Sequence, residues 1–156
     1  MKKIYLTIPL LVFVIDRMMK YFAPSINIEG NFLSFGFYKN YAGAFSLPIG
    51  GWLYNFAGII LLAIFIYFLI KEIKTPLLAS SPLVLQGGGW VGDLKVFSFA
   101  LILLGGLSNM IDRFVFGYTV DYVNFMNFSF FNIADGMLVL GIIILLFFQF
   151  KKRYEK

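Results

Sequence analysis

Polar positions along this chain are few and clustered, and between them run apolar stretches over 4–22, 52–70, 96–115 and 133–150. Each approaches the roughly 20 residues that cross a hydrocarbon core of about 30 Å as a helix. The pattern predicts an all-α membrane protein, a four-transmembrane-helix bundle with residues 1–156 as a single membrane domain. Asp16, Arg17 and Lys20 interrupt the first stretch near its end. It opens on Met1-Lys2-Lys3, as a secretory signal would. Asp16-Arg17 closes the run without a clean small-x-small cleavage site after it, so it is read as a retained span.

The connectors carry most of the remaining information. Segments 23–51 and 116–132 fall on one side of the bundle, and a loop over 71–95 falls on the other with both termini. Lys2, Lys3, Lys71, Lys74, Lys95, Lys151, Lys152, Arg153 and Lys156 lie on the side of the termini, against Arg17, Lys20, Lys39 and Arg113 on the other. That asymmetry predicts both termini in the cytoplasm. Within the first outer segment, Phe35, Phe37 and Lys39 alternate with Ser34, Gly36 and Tyr38. This predicts a short strand pair at the membrane surface, while the same aromatics also suit a plain interfacial belt. Residues 75–94, with Pro76, Pro82, Gly87-Gly88-Gly89 and Trp90, read as a turn-rich insertion, an interfacial hairpin on the inner leaflet. No lysine follows its glycines, which argues against a phosphate-binding loop.

Composition agrees with a lipid solvent: 60% of residues are hydrophobic and 13% charged, where a soluble domain carries about 25% charged. The net charge of +5 sits at the edges of apolar runs rather than on a nucleic-acid surface, so no nucleic-acid partner is expected. The absence of histidine and cysteine narrows the chemistry further. It excludes Ser-His-Asp and Cys-His catalysis, His-Glu-x-x-His zinc sites and disulfides. Carboxylate chemistry, serine-lysine chemistry with Ser46 or Ser108, oxygen-ligated hard metals, or no chemistry remain.

Of the eight acidic residues, Asp16, Asp112, Asp121 and Asp135 lie near the outer ends of the predicted spans. An ionisable group at that depth is costly and is a functional candidate by default. Asp16 with Lys20, or Asp112 with Arg113, would equally serve as local pairs holding helix ends. Asp121 and Asp135 have no basic neighbour in sequence and flank the connection between the last two spans, whose ends come together in an antiparallel pair. Two adjacent carboxylates divide roles: repulsion keeps a proton on one, and the other accepts a proton from water. Asn109 and Arg113 share a helix face. Asn132 is placed to orient Asp135 or to cap the last helix. Asn40 precedes a small-residue bend at Ala42-Gly43-Ala44.

In order, the chain carries Asp16-Arg-Met-Met-Lys20, Asn40-Tyr-Ala-Gly-Ala-Phe45, Gly105-Gly-Leu-Ser-Asn109-Met-Ile-Asp112-Arg113, Gly117-Tyr-Thr-Val-Asp121-Tyr122 and Phe131-Asn132-Ile-Ala-Asp135. This series resembles lipoprotein signal peptidase (signal peptidase II, aspartic peptidase family A8) over nearly the whole chain. Asn-x-x-Asp-Arg and Phe-Asn-x-Ala-Asp are its most specific pieces. Met19, Ala42-Gly43 and Ser108 depart from the family's usual residues. The resemblance implies that Asp121 and Asp135 form the catalytic pair and that Asp16, Asn40, Asn109, Asp112, Arg113 and Asn132 support the site or position substrate. It implies a small extracytoplasmic β cradle in the first outer segment, over the site. It also implies an endopeptidase of the bacterial cytoplasmic membrane, active near the outer face. That enzyme removes signal peptides from diacylglyceryl-modified prolipoproteins, cutting before the lipidated cysteine. A monomer in contact with membrane lipid, with no metal and no cofactor, is expected. The rival readings are a lipid phosphotransferase with Mg²⁺ on Asp112, Asp121 and Asp135, and a non-enzymatic carrier using its intramembrane acids.

Overall fold

The computed structural model describes residues 2–41, 52–74, 88–126 and 128–154. Among them are α1 (Lys2–Phe22), α2 (Trp52–Lys74), α3 (Gly88–Phe116) and α4 (Ile133–Tyr154), with strands β1 (Leu33–Asn40), β2 (Thr119–Phe125) and β3 (Ser129–Phe131). The apolar runs expected to be helical are helical. Two windows, Asn55–Ile73 and Gly92–Phe116, are long and apolar enough by themselves to cross a membrane. In α1 the charges at Asp16, Arg17 and Lys20 break the run, and in α4 the apolar part, Ile133–Phe148, is shorter.

α3 packs against each of the other helices, and α1 also touches α4. The window in α2 buries none of its residues against the rest of the protein. An all-round apolar helix that leaves most of its surface uncovered by protein is at rest in lipid and not in water. α3 and α4 are pressed together. A Cβ on Gly105 would stand 2.6 Å from the carbonyl oxygen of Ala134, so only glycine lets the start of α4 lie that close.

The boundaries differ from the sequence reading at one place. α3 begins at Gly88, well before the expected 96, and α2 runs to Lys74. Residues 88–94 are thus a helical extension of α3 rather than part of a turn-rich loop, because nothing after Pro82 prevents the helix of 96–115 from growing back. The rest of the proposed hairpin, 75–87, lies outside the described residues, as do the bend at 42–44 and Ser46.

The expected strand pair is also differently made. β1 pairs antiparallel with β2, and β2 with β3, in the order β1-β2-β3. Among the described residues of the first outer segment, pairing is limited to a bridge between Ile28 and Phe35. The main partner of β1 therefore comes from 116–132, which the sequence presented only as a connection. A register shift between Phe35 and Tyr38 puts Tyr38 opposite Asp121 and Asn40 opposite Thr119. Ala23, Val120 and Tyr122 form a small buried core under the sheet, and Met19 packs against it. Half-buried Tyr118 also packs against this core, with the Lys39 ammonium 5.2 Å from its ring centre, and Tyr38 stacks on Phe130 at 4.3 Å.

Candidate active site

The first turn of α4 organises the site. A helix leaves its first N–H groups without intrahelical partners, and here each finds one. Ile133 N–H donates to the Tyr122 hydroxyl at 3.0 Å. Ala134 N–H donates to Asp16 Oδ1 at 3.1 Å, and Asp135 N–H donates to Asn132 Oδ1 at 2.9 Å. Asp135 Oδ2 in turn accepts the Asn132 backbone N–H at 3.2 Å. This is a reciprocal capping box with Asp in the third helical position. In Asn132 the side chain caps α4, and the backbone N–H holds the Asp135 carboxylate.

Asn132 also joins the two carboxylates. Its Nδ2 donates to Asp121 Oδ1 at 2.7 Å, and the other oxygen of Asp121 accepts from Asn40 Nδ2 at 2.9 Å. Asp135 Oδ1 accepts from Asn109 Nδ2 at 2.7 Å. Asp121 therefore hangs between β1 and the start of α4, and Asp135 between α4 and α3. Asp121 is 1% exposed. Its carboxyl is pushed up to about 6, chiefly by burial, with the charge of Asp135 adding to it against the donors Asn40 and Asn132. The Tyr122 hydroxyl is pushed well above its ordinary value, first by burial and then by Asp16, so it stays a donor.

Asp16 and Asp112 stand apart from this pair. Both are wholly buried. Asp112 is paired with Arg17 and, at 2.8 Å, with Lys20. Asp16 is 3.2 Å from Lys20 and accepts from the hydroxyls of Tyr122 at 2.8 Å and Ser108 at 2.6 Å. The local pair of Asp16 with Lys20 is present. The ion pairs of Asp112, however, cross to α1, where sequence proximity had suggested Arg113. Asp112 Oδ2 also accepts Val120 N–H at 3.2 Å, so this cluster bolts α1, α3 and β2 together. Arg113 Nε donates to Thr119 Oγ1 at 2.8 Å, bracing the start of β2. With its oxygens taken up by two cations and a backbone N–H, Asp112 is not arranged to share a metal with Asp121 and Asp135. No group of three metal-ligating side chains occurs among the described residues.

Sequence reasoning left out several contributors. Lys20, Arg17, Ser108 and Tyr122 all bear on the site through their bonds. Lys20 carried a signal, a cation four residues after Asp16 inside an apolar run. Tyr122 ends the series Gly117-Tyr-Thr-Val-Asp121-Tyr122, but no role was assigned to it, since an aromatic residue beside an apolar segment is commonplace. Ser108 lies 3.3 Å from the Lys20 ammonium, the one juxtaposition that a serine-lysine peptidase would need. Yet Ser108 gives its proton to Asp16, and Lys20 is a donor to two carboxylates, so neither is placed as nucleophile and base. A groove of about 520 Å³ along α1, lined by Phe13, Val14, Arg17, Met18, Tyr21 and Phe22, contains neither Asp121 nor Asp135.

A helix-rich membrane frame with a small sheet, holding a buried carboxylate, Asp121, and a partly buried one, Asp135, in one hydrogen-bonded unit, places the chain in the class of membrane enzymes. A solved bacterial membrane enzyme, determined by the in meso method at 2.3 Å resolution, superposes with a TM-score of 0.78 over 99% of this chain and 92% of its own, at 24% identity. The family profile described as Signal peptidase (SPase) II matches residues 8–151. A lipoprotein signal peptidase of Streptococcus agalactiae serotype Ia is 36% identical over 125 residues, covering 78% of this chain and 71% of that protein. One from Caldicellulosiruptor bescii is 29% identical over 159 residues, covering 98% and 95%. The chain belongs to the signal peptidase II family, the A8 aspartic peptidases.

Proposed function

We propose that this chain spans the bacterial cytoplasmic membrane four times as one domain, with both termini cytoplasmic and the sheet and carboxylate pair at the outer face. There it cuts diacylglyceryl-modified prolipoproteins just before the lipidated cysteine. The relatives' name supplies the prolipoprotein substrate, and the basic residues at 71–95 and at the termini support the orientation. Surrounding lipid solvates α2, and the enzyme works as a monomer. The observation that carries the reading is the position of Asn132, bonded to Asp121 through its side chain and to Asp135 through its backbone.

The chemistry follows from two acids that share one proton. Asp135, held by donors on both oxygens, takes a proton from water as the water oxygen attacks the scissile carbonyl carbon. Asp121, whose buried carboxyl binds a proton just below neutrality, gives that proton to the carbonyl oxygen. The resulting gem-diol collapses as the amide nitrogen is protonated and the C–N bond breaks. This yields a carboxyl group and the free amine of the cysteine, and the pair is left with one proton. Asn40, Asn109 and Asn132 keep both carboxylates aimed throughout, as a preorganised site requires.

The test is cleavage of a diacylglyceryl-modified precursor peptide by the purified protein in the presence of a chelator. Cleavage before the modified cysteine is expected to survive. Loss of cleavage on chelation, restored by Mg²⁺, would establish the metal enzyme instead, and no cleavage under any condition would leave the carrier. Orientation is checked with single cysteines, for which the cysteine-free chain is a clean background. Glu29→Cys is expected to react with an impermeant reagent outside the cell and Ser81→Cys not to, and the reverse pattern would invert the topology.

A further inference from the structure

Lys20 forms its ion pairs with Asp16 and Asp112 rather than with Asp121 and Asp135, yet its side chain reaches into the support of that pair. Its side chain is 2% exposed, and the ammonium makes its shortest contacts with Asn109 Oδ1 at 2.7 Å and Asp112 at 2.8 Å. Ion pairing by itself accounts for the contacts with Asp16 and Asp112. It does not account for an amide oxygen lying closer than either carboxylate.

An amide has two ends of opposite character, and its neighbours decide which way it points. An ammonium has donors only, so the Asn109 atom facing Lys20 must be the oxygen. The nitrogen is then left facing Asp135 Oδ1 at 2.7 Å. Were the amide reversed, its NH2 would face the ammonium and its oxygen would face a carboxylate, two repulsions inside a buried site. Asn132 Nδ2 also donates to Asn109 Oδ1, at 3.2 Å, and this second donor adds to the same preference.

Resting on the peptidase reading above, we infer that Lys20 is a positioning residue for the reaction: it acts through Asn109, locking the amide so that its N–H always presents to Asp135. Asp135 is thereby kept in the rotamer in which Oδ1 meets Asn109 and Oδ2 meets the helix cap. Lys20 acts through Asn109 and not on the reacting atoms, so its removal changes turnover and leaves substrate binding in place.

Lys20→Met alone would strand Asp16 and Asp112 beside a single cation, so the informative variant is Lys20→Met with Asp16→Asn, which keeps the cluster neutral. Cleavage of the lipidated peptide by wild type, and its loss in Asp135→Asn, first establishes the peptidase reading. With Asp16→Asn as reference, the added Lys20→Met is expected to lower kcat roughly 10- to 100-fold with KM nearly unchanged, the signature of lost orientation. In an Asn109→Ala background the same change is expected to cost no further kcat, because the two residues act as one unit. An equal fold-loss in both backgrounds, or an effect on KM alone, would make Lys20 merely structural. The wild-type protein gives a readout independent of activity and of any variant's folding. The side-chain NH2 protons of Asn109, labelled with ¹⁵N, are expected to be protected from exchange, and rapid exchange would overturn the inference even with cleavage intact.

Discussion

Asn132 and Asp135 cap one another across the first turn of α4, the amide oxygen accepting one backbone N–H at 2.9 Å and the carboxylate accepting the other at 3.2 Å. The same Asn132 reaches Asp121 through its NH2 at 2.7 Å. These duties separate by substitution. Asn132→Ala loses the cap, worth about 1 kcal/mol, and the bridge. Asn132→Ser keeps a capping oxygen and loses the amide donor to Asp121, Asn109 and the Val120 carbonyl. Both variants are expected to lose most cleavage, and thermal melting in detergent should show Asn132→Ser close to wild type and Asn132→Ala below it.

Asp121→Asn and Asp135→Asn keep shape and remove ionisation. Each is expected to lose roughly 10²–10⁴-fold in kcat, the usual worth of a general acid or base. The double variant should be little worse than either single one, since both act in one step. A correctly folded single variant that cleaves at the wild-type rate would falsify the aspartic mechanism.

The pH dependence of stability has a definite sign. Asp121 binds its proton up to about 6 in the folded state, against 3.8 ordinarily, chiefly because of burial. Between those values the folded chain holds more protons than the unfolded one, so this residue's contribution is fully present below 3.8 and is lost as pH rises through about 6. Asp121→Asn removes the buried charge. Its melting temperature is expected to exceed that of wild type at neutral pH and to converge with it in acid.

The same chemical change at Asp112 should act in the opposite direction. Asp112 is wholly buried and compensates Arg17 and Lys20, and breaking a buried pair costs about 3–5 kcal/mol. Asp112→Asn is therefore expected to melt well below wild type at neutral pH. Equal melting temperatures for Asp112→Asn and Asp121→Asn would contradict the division between an ion cluster that holds the helices and a carboxylate pair held for chemistry.

Gly105 tests how the site depends on helix packing. A methyl group there would stand 2.6 Å from the Ala134 carbonyl and 3.1 Å from Met137 Cβ, neither at the end of a flexible side chain. Gly105→Ala must move α4 at the residue preceding Asp135. Reduced kcat and a lower melting temperature are expected together, while Gly92→Ala, where the added methyl group meets nothing within 4 Å, should change neither.

Much of this was legible in the chain itself. Apolar length marked the helices, and the lack of histidine and cysteine left carboxylate chemistry among the few kinds that remained, beside serine-lysine pairs and oxygen-ligated metals. The acids stranded at span ends marked the candidate residues, and Asn132 could be placed three residues before Asp135 as cap or support. The strand signal around Phe35 and Lys39 was readable, but its partner was not. Alternation says that a strand exists and is silent on which distant segment completes its ladder. The early start of α3 was hidden because glycines and a nearby proline resemble a turn in any one-dimensional reading.

What the sequence determined by itself was set by local quantities: hydrophobic length, charge at span ends and helix-cap spacing. These depend on residues within a turn or two of one another. What only the tertiary structure decided was partnership. Asp112 pairs with Arg17 and Lys20, Asp16 receives Tyr122 and the start of α4, and Asn40 meets Asp121 across β1 and β2. Each of these joins residues far apart in the chain, through side chains whose charge or amide is compatible with several partners. In a buried site an unpaired polar group is costly, so every such group must find one, but only the packing of α1, α3, α4 and the sheet determines which.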